Sequence, residues 1–170
     1  KVTLATAASM PNLYPDENGL LDALAERGMD PQIKAWTDPD VNWDDAGLVV
    51  VRSVIDYARD RKKFLSWARS VPRILNSADA LTWNSDKHYL QELASRGLPT
   101  IQTTWIAAAN NYEKRQVHAR FPAFGDFVVK PTVSSGVRDI GRYSTNDLKQ
   151  RQAAMAQATH GKPVPEDEKP

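Results

Sequence analysis

The chain has 170 residues, no cysteine, 41% hydrophobic residues and a formal net charge of +1. This apolar fraction is enough to build a buried core, which excludes an extensively disordered chain. The absence of cysteine excludes disulfides, thiol catalysis and cysteine-ligated metals, and the three scattered histidines disfavour a zinc site. The near-neutral charge disfavours a nucleic-acid or membrane-surface partner, and the longest apolar run, Ala46 to Val51, is too short to span a bilayer. We therefore expect a cytoplasmic protein.

Over roughly the first 75 residues, strand and helix patterns alternate, which indicates a parallel α/β sheet. Strands are predicted at 2–7, 32–36, 46–51 and 73–76, and helices at 16–27 and 59–70. The run Ala46 to Val51 lacks any alternation, which is typical of a strand covered on both faces. Such sheets carry their functional groups at the carboxyl ends of the strands, here 6–10, 52–57 and 76–77.

The second half of the chain predicts a different sequence of elements. Helices are predicted from Asn84 or Ser85 to about Arg96, at 111–120 and at 145–158, and strands at 101–106, 127–130 and 140–143. The end of the chain, 161–170, is rich in proline and charge and is predicted as a loop or frayed end. We divide the chain into lobes at 1–78 and 79–160 and a flexible tail at 161–170.

The strongest chemical signal is the segment Phe127 to Arg138, in which an apolar strand ends on Lys130 and a small, polar loop follows. A lysine ammonium supplies a point charge, Ser134 and Ser135 supply hydroxyl and N–H groups, and Gly136 permits close backbone approach. This combination suits a polyphosphate. The alternative is a hairpin with a solvated lysine and ordinary turn chemistry. The Gly-x-x-x-x-Gly-Lys-Ser/Thr pattern of a Walker A loop is absent.

Lys87 is a second candidate for an anion site. If Asn84 caps a helix, Lys87 lies in its first turn, where the helix dipole disfavours a cation. A bound phosphate would reverse this, because the helix N–H groups and the ammonium would contact the same anion. The alternative is an exposed lysine beside Asp86.

Polar residues also follow the apolar strand, at Arg52, Ser53, Asp56 and Tyr57. Arg52 can bind a substrate carboxylate through two parallel hydrogen bonds, and Ser53 can donate another. The position favours this interpretation, because open α/β sheets bind ligands beyond the carboxyl ends of their strands. The alternative is a plain strand-to-helix connection in which Asp56 is a cap.

Together, these segments resemble the ATP-grasp ligases. The order is Val50-Val51-Arg52-Ser53, then Trp83-Asn84-Ser85-Asp86-Lys87, then Leu98-Pro99-Thr100, then Val128-Val129-Lys130-Pro131. Within these ligases the chain looks most like the bacterial branch of the O-ureido-serine cyclo-ligase of cycloserine biosynthesis, from Val2 to about Ala158. The resemblance implies a parallel-sheet lobe that precedes the ATP-grasp fold, followed by an incomplete first ATP-grasp lobe at 79–160.

The resemblance also implies roles for the candidate residues. It places substrate on the first lobe, and it implies that Lys87 and Lys130 contact the nucleotide phosphates. The loop that it places over the β- and γ-phosphates contains Thr132, Ser134, Ser135 and Gly136. Arg138 then lies where it can reach phosphate or substrate, as a catalytic group. Relatives often have Thr-Trp where this chain has Val54-Ile55, so the substrate is left open.

The implied reaction uses ATP and Mg²⁺ to activate a small carboxylate as an acyl phosphate, which an amine-type nucleophile then attacks, within the same molecule in a cyclo-ligase. No acidic pair followed by asparagine comes after Lys149, so we expect the metal ligands outside this chain. The chain then corresponds to the amino-terminal part of such an enzyme: a fragment, a cleaved product or an engineered piece. The alternative function is a non-catalytic α/β module that binds a nucleotide or another small molecule.

Overall fold

A parallel sheet organises the first part of the chain. Its strands are β1 (Val2–Thr6), β2 (Pro31–Ala35), β3 (Leu48–Val51) and β4 (Ile74–Leu75), in the spatial order β2-β1-β3-β4. All three pairings are parallel, and every residue of the central strand β1 is buried. The computed structural model describes residues 1–17, 19–106, 117, 119–136 and 139–160. The predicted α/β class with a parallel sheet is confirmed.

Helices cover this sheet on both faces. They are α1 (Leu20–Glu26), α2 (Arg61–Ser70) and α3 (Ala78–Asn84), with 3-10 turns at Pro15–Glu17, Trp43–Asp45 and Tyr57–Arg59. One buried cluster joins Val2 and Leu4 of β1 to α1, and a second joins Ala5 of β1 and Val49 of β3 to α2. This double covering explains why β3 is an apolar run rather than an alternating one.

Helix α2 shows how local sequence sets an element. The Asp60 carboxylate accepts a hydrogen bond of 2.9 Å from the Lys63 N–H and caps the helix start. The buried face consists of Phe64, Leu65, Trp67 and Ala68. Phe64, Leu65 and Ala68 match the predicted inward face, and Trp67 adds an indole that contacts Phe64, with 5.7 Å between the ring centroids.

The helix predicted from Asn84 or Ser85 to Arg96 is wrong in its first part. Asn84 is instead the last residue of α3, which begins after Ser77, whose hydroxyl accepts from the Ala80 N–H. A separate helix, α4 (Tyr89–Ser95), follows. Both Ser77 and Asn84 are good N-cap residues, and the local pattern does not choose between them. Packing does, because α3 buries Leu81 in the same cluster as α2.

The chain divides into two compact units, Lys1–Lys87 and His88–Pro170. In the second unit, β5 (Asp126–Val129) and β6 (Gly141–Ser144) form an antiparallel pair that contacts α5 (Leu148–His160). The strand predicted at 101–106 is not formed; this stretch has no regular secondary structure, and Ile101 is 88% exposed. The predicted helix 111–120 lies mostly outside the described residues, and the tail 161–170 lies entirely outside them.

The helices are short. In the ranges that the structure describes, none is long and apolar enough to cross a membrane.

Candidate functional site

The carboxyl edge of the parallel sheet brings two loops together. Because β1 pairs in parallel with β3, the chain leaves both strands at the same edge. The Ser53 carbonyl accepts from the Ala7 N–H at 3.1 Å and from the Thr6 hydroxyl at 3.3 Å. The Thr6 hydroxyl also lies 2.8 Å from the Met10 carbonyl. These bonds fix the loop after β1 against the loop after β3.

The carboxylate of Glu17 lies at the centre of this edge. Its Oε2 accepts from the Ser53 hydroxyl at 2.5 Å and from the Tyr14 N–H at 3.2 Å. Its Oε1 accepts from Arg52 Nε at 2.5 Å and also pairs with Arg52 Nη2. The Glu17 side chain is only 9% exposed, and Ser53 is 1% exposed. The four donors satisfy the carboxylate almost completely.

The backbone turn that delivers Glu17 is strained at Leu13. Leu13 has φ 64, a left-handed conformation that costs a non-glycine residue about 1–2 kcal/mol. Its side chain is buried among Val2, Leu4 and the apolar face of α1, which offsets that cost. The turn aims the Tyr14 N–H at both Ser53 and Glu17. Strain of this kind concentrates at functional sites.

Glu17 remains ionised in this arrangement. Burial by itself would raise its pKa, but the hydrogen bonds from Ser53, Tyr14 and Arg52, with the charge of Arg52, outweigh that effect and lower the pKa from its ordinary value of 4.5. Glu17 is therefore a permanent anion at neutral pH, and it holds the Arg52 guanidinium by charge as well as by geometry.

Arg52 is the cationic residue of this cluster, and it reaches solvent. Its side chain is 44% exposed. Glu17 occupies the edge formed by Nε and Nη2, while Nη1 has no hydrogen-bond partner in the described part of the chain. Ser53, predicted as a second substrate donor, uses its hydroxyl proton on Glu17. In this arrangement the Ser53 hydroxyl holds Glu17, which in turn holds Arg52.

Asp56 and Tyr57 lie on the same connection but contact the aromatic core. The Trp36 indole N–H donates to the Asp56 carboxylate at 2.7 Å. The Tyr57 ring lies 5.5 Å from Phe64, centroid to centroid. The cap of α2 is Asp60 rather than Asp56, whose carboxylate makes no cap hydrogen bond. These contacts fix the far end of the connection.

Lys87 does not lie in the first turn of a helix. It follows α3, whose C-terminal cap is Ser85, and precedes α4, which begins at Tyr89. The helix-dipole argument for an anion at Lys87 therefore fails. Lys87 belongs to the first unit and Lys130 to the second.

The second unit carries the predicted phosphate loop. Lys130 directly follows β5 and is exposed, and the half-buried residues Thr132, Ser134 and Ser135 come after it. Gly136 has φ 65, and, its chain neighbours aside, no atom of the described residues lies within 4 Å of the position that a Cβ would take. A positive side chain, small polar residues and an open glycine in a left-handed conformation form an arrangement that fits polyphosphate oxygens. Arg138 lies outside the described residues.

A buried amide holds both ends of this loop. Gln157 of α5 is 3% exposed, and its Nε2 donates to the Val129 carbonyl at 3.2 Å and to the Asp139 carbonyl at 2.8 Å. The Tyr143 hydroxyl donates to Gln157 Oε1 at 2.5 Å. Gly141 is required here, because a Cβ would overlap with the Tyr143 hydroxyl and the Gln157 amide oxygen. The carbonyl of Val129 is thus fixed immediately before Lys130.

Glu17 and Gln157 were missed from the sequence. The sequence predicts Glu17 within the helix 16–27 and Gln157 within the helix 145–158, where each is one polar residue among several. A signal for Glu17 exists, since it is an acidic residue in the segment after the first strand, at the edge that also receives Arg52. Nothing local distinguishes Gln157 from Gln150 or Gln152.

The described residues contain no group of three or more histidine, aspartate or glutamate side chains that could hold a metal ion. Glu17 is already saturated by hydrogen bonds, and Asp56 is bonded to Trp36. The cationic side chains at the two predicted sites are Arg52 in the first unit and Lys130 in the second.

Comparisons with known proteins place these features in context. Residues 2–76 match the family described as "D-cycloserine synthetase DcsG, N-terminal domain". The match covers the whole parallel sheet and both loops of the Glu17 cluster. This chain is similar to cycloserine synthetases. It is 33% identical over 142 residues, 81% of its length, to "Cycloserine biosynthesis protein DcsG" of Streptomyces lavendulae.

A comparison with solved structures also finds similarity to a cycloserine synthetase. The structure of D-cycloserine synthetase DcsG matches 92% of this chain with a TM-score of 0.78 and 30% sequence identity. The chain spans about half the length of these relatives, 47% of the first and 52% of the second.

Proposed function

We propose that this chain forms part of an ATP-dependent carboxylate ligase of cycloserine biosynthesis, which activates a small carboxylate and closes a ring by intramolecular attack of an amine-type nitrogen. The observation that carries the proposal is the similarity to a D-cycloserine synthetase over 92% of the chain. The Lys130 loop supports it, because its charge and its open glycine suit nucleotide phosphates.

In the proposed reaction, a carboxylate oxygen attacks the γ-phosphorus of ATP, and the bond to the β-phosphate oxygen breaks, giving ADP and an acyl phosphate. The nitrogen then attacks the carbonyl carbon, phosphate leaves, and the nitrogen loses a proton. Closing a ring makes the second step unimolecular, which removes the entropic cost of bringing in a second reactant. Phosphoryl transfer depends mainly on positioning and charge stabilisation.

The residues of this chain would position ATP and the small substrate and neutralise phosphate charge, rather than form bonds to the reacting atoms. The Lys130 ammonium would contact phosphate oxygens, and the backbone around Gly136 would approach them closely. Arg52 would hold the small substrate at the edge of the parallel sheet. Magnesium would neutralise phosphate charge; the described residues provide no cluster for it, so we assign no step to the metal.

Nucleotide binding tests the proposal at Lys130. Titration of Mg-ATP into the ¹⁵N-labelled chain should shift the amide signals of Lys130 and of 132–136 saturably. Lys130→Ala should weaken this binding by about tenfold or more, because a charge-assisted contact to phosphate is lost. Lys149→Ala is the matched control, an exposed lysine on α5 of the same unit, and should bind as the wild type does. Equal affinity of the wild type and the Lys130 variant would rule the proposal out.

A further inference from the structure

The Glu17 cluster leaves one edge of a fixed guanidinium for a ligand. A guanidinium carries five N–H donors in a planar fork, and Glu17 takes the edge formed by Nε and Nη2. The adjacent edge, formed by Nη1 and the second N–H of Nη2, keeps two parallel donors. Arg52 Nη1 has no partner in the described ranges, and the side chain is 44% exposed. Two parallel N–H donors match the two oxygens of a carboxylate.

Fixing an arginine before a ligand arrives favours binding. A free arginine side chain loses conformational entropy when a ligand immobilises it. Here the Glu17 carboxylate already immobilises the guanidinium, and Ser53 and the Tyr14 N–H immobilise Glu17. Those donors leave Glu17 little capacity to bind a ligand itself, so its effect must pass through Arg52.

We infer that Glu17 is a positioning residue that orients Arg52 to bind the carboxylate of the small substrate, with Ser53 and the Tyr14 N–H holding Glu17 in place. This inference rests on the proposed function, which supplies the carboxylate substrate. It also assigns Ser53 a supporting role behind Glu17 rather than direct contact with substrate.

The guanidinium signal of Arg52 in the ¹⁵N NMR spectrum of the chain tests the inference. D-serine, a small amino acid with a free carboxylate, should shift the Arg52 Nε signal saturably, whereas D-serinamide, which lacks the carboxylate charge, should not. Arg52→Lys should abolish binding of D-serine, because an ammonium lacks the planar pair of donors. Absence of a D-serine shift in the wild type overturns the inference.

Glu17→Gln distinguishes positioning from a purely structural role. We expect about tenfold weaker D-serine binding and faster exchange of the Arg52 Nε proton with water, since the guanidinium loses its charged partner. Glu26→Gln, an exposed glutamate at the end of α1, is the matched control and should change neither property. If folded Glu17→Gln binds D-serine as tightly as the wild type does, Glu17 is not a positioning residue. Tighter binding by the variant also overturns that role, because it shows that Glu17 competes with the ligand for Arg52.

Ser53→Ala provides a milder test in case Glu17→Gln does not fold. It removes one donor to Glu17 and keeps the ion pair, so D-serine binding should weaken by about twofold to threefold. Unchanged binding would overturn the supporting role of Ser53. Mg-ATP titration at the Lys130 loop is an independent readout in the other unit. In the wild type, absence of D-serine binding alongside Mg-ATP binding that Lys130→Ala weakens overturns this inference alone, whereas Mg-ATP binding that Lys130→Ala leaves unchanged overturns the proposed function.

Discussion

The two units hold a cation-bearing loop at a strand end in different ways. In the first unit the ionised carboxylate of Glu17 fixes Arg52 after β3. In the second unit the neutral amide of Gln157 fixes the carbonyl that precedes Lys130 after β5. Glu17 contacts the Arg52 guanidinium directly, whereas Gln157 contacts the Lys130 loop through backbone carbonyls. Glu17 therefore fixes Arg52 at its guanidinium, whereas Gln157 fixes the backbone from which the Lys130 side chain extends.

The two networks also differ in their response to pH. Glu17 functions as an anion, so protonation removes its attraction for Arg52. Gln157 does not titrate, and burial raises the pKa of its donor Tyr143 above the ordinary value of 10.0. Tyr143 therefore remains a donor across the acid and neutral range. Acid should weaken the first network and leave the second unchanged.

The largest expected effect is that of Gln157→Leu. The substitution removes the hydrogen bonds from Gln157 Nε2 to the Val129 and Asp139 carbonyls and leaves the buried Tyr143 hydroxyl without its acceptor. We expect the free energy of unfolding of the second unit to fall by about 3 kcal/mol, since each buried unsatisfied group costs about 1–3 kcal/mol. Urea unfolding followed by the NMR signals of Tyr143 measures this.

Gln152→Leu is the matched control for that experiment. Gln152 lies on the same helix, but its side chain is exposed. This variant should change stability by less than about 0.5 kcal/mol. Equal losses in the two variants would show that the helix, rather than the hydrogen bonds to the loop, is responsible.

The next largest effect is the loss of stability in Glu17→Gln, which we expect to depend on pH. At neutral pH we expect the first unit to lose about 2 kcal/mol, between the values typical of exposed and buried ion pairs. Because the folded-state pKa of Glu17 is lowered, the unfolded chain takes up the proton first as pH falls. The stabilisation is present above pH 4.5 and is lost as pH falls through the folded-state pKa, so the wild type and the variant should converge in acid.

Urea unfolding at a series of pH values, followed by tryptophan fluorescence, measures this difference. Fluorescence suits the first unit, which contains four of the five tryptophans: Trp36, Trp43, Trp67 and Trp83. A difference between wild type and variant that stays constant down to pH 3 would contradict an ionic role for Glu17.

The smallest effect concerns the exposed pair between Asp126 of β5 and Arg142 of β6. The Arg142 guanidinium lowers the pKa of Asp126, and the two side chains lie 2.7 Å apart. Both are exposed, so water and salt screen the attraction. Asp126→Asn should leave the urea midpoint of the second unit unchanged at physiological salt. A clear loss would show that charge as well as the Gln157 amide stabilises this hairpin.

Local patterns in the sequence are sufficient to predict the main strands and helices of the first unit. The apolar run that became β3 needed both of its faces covered, and the spacing of Phe64, Leu65 and Ala68 predicted the buried face of α2. The lobe boundary at residue 78 stays a prediction, while α3 packs on α2 and lies within Lys1–Lys87. That packing depends on Leu81, which local propensity does not reveal.

The sequence by itself determined the class of fold, the strand ends at which Arg52 and Lys130 lie, and the small residues of the Lys130 loop. These depend on hydrophobic periodicity and turn chemistry, which act over a few residues. Only the tertiary structure decided that Glu17 lies against Ser53, 36 positions away, and that Gln157 lies against Val129, 28 positions away. A polar side chain becomes a structural partner when folding removes it from water, and burial depends on the whole chain.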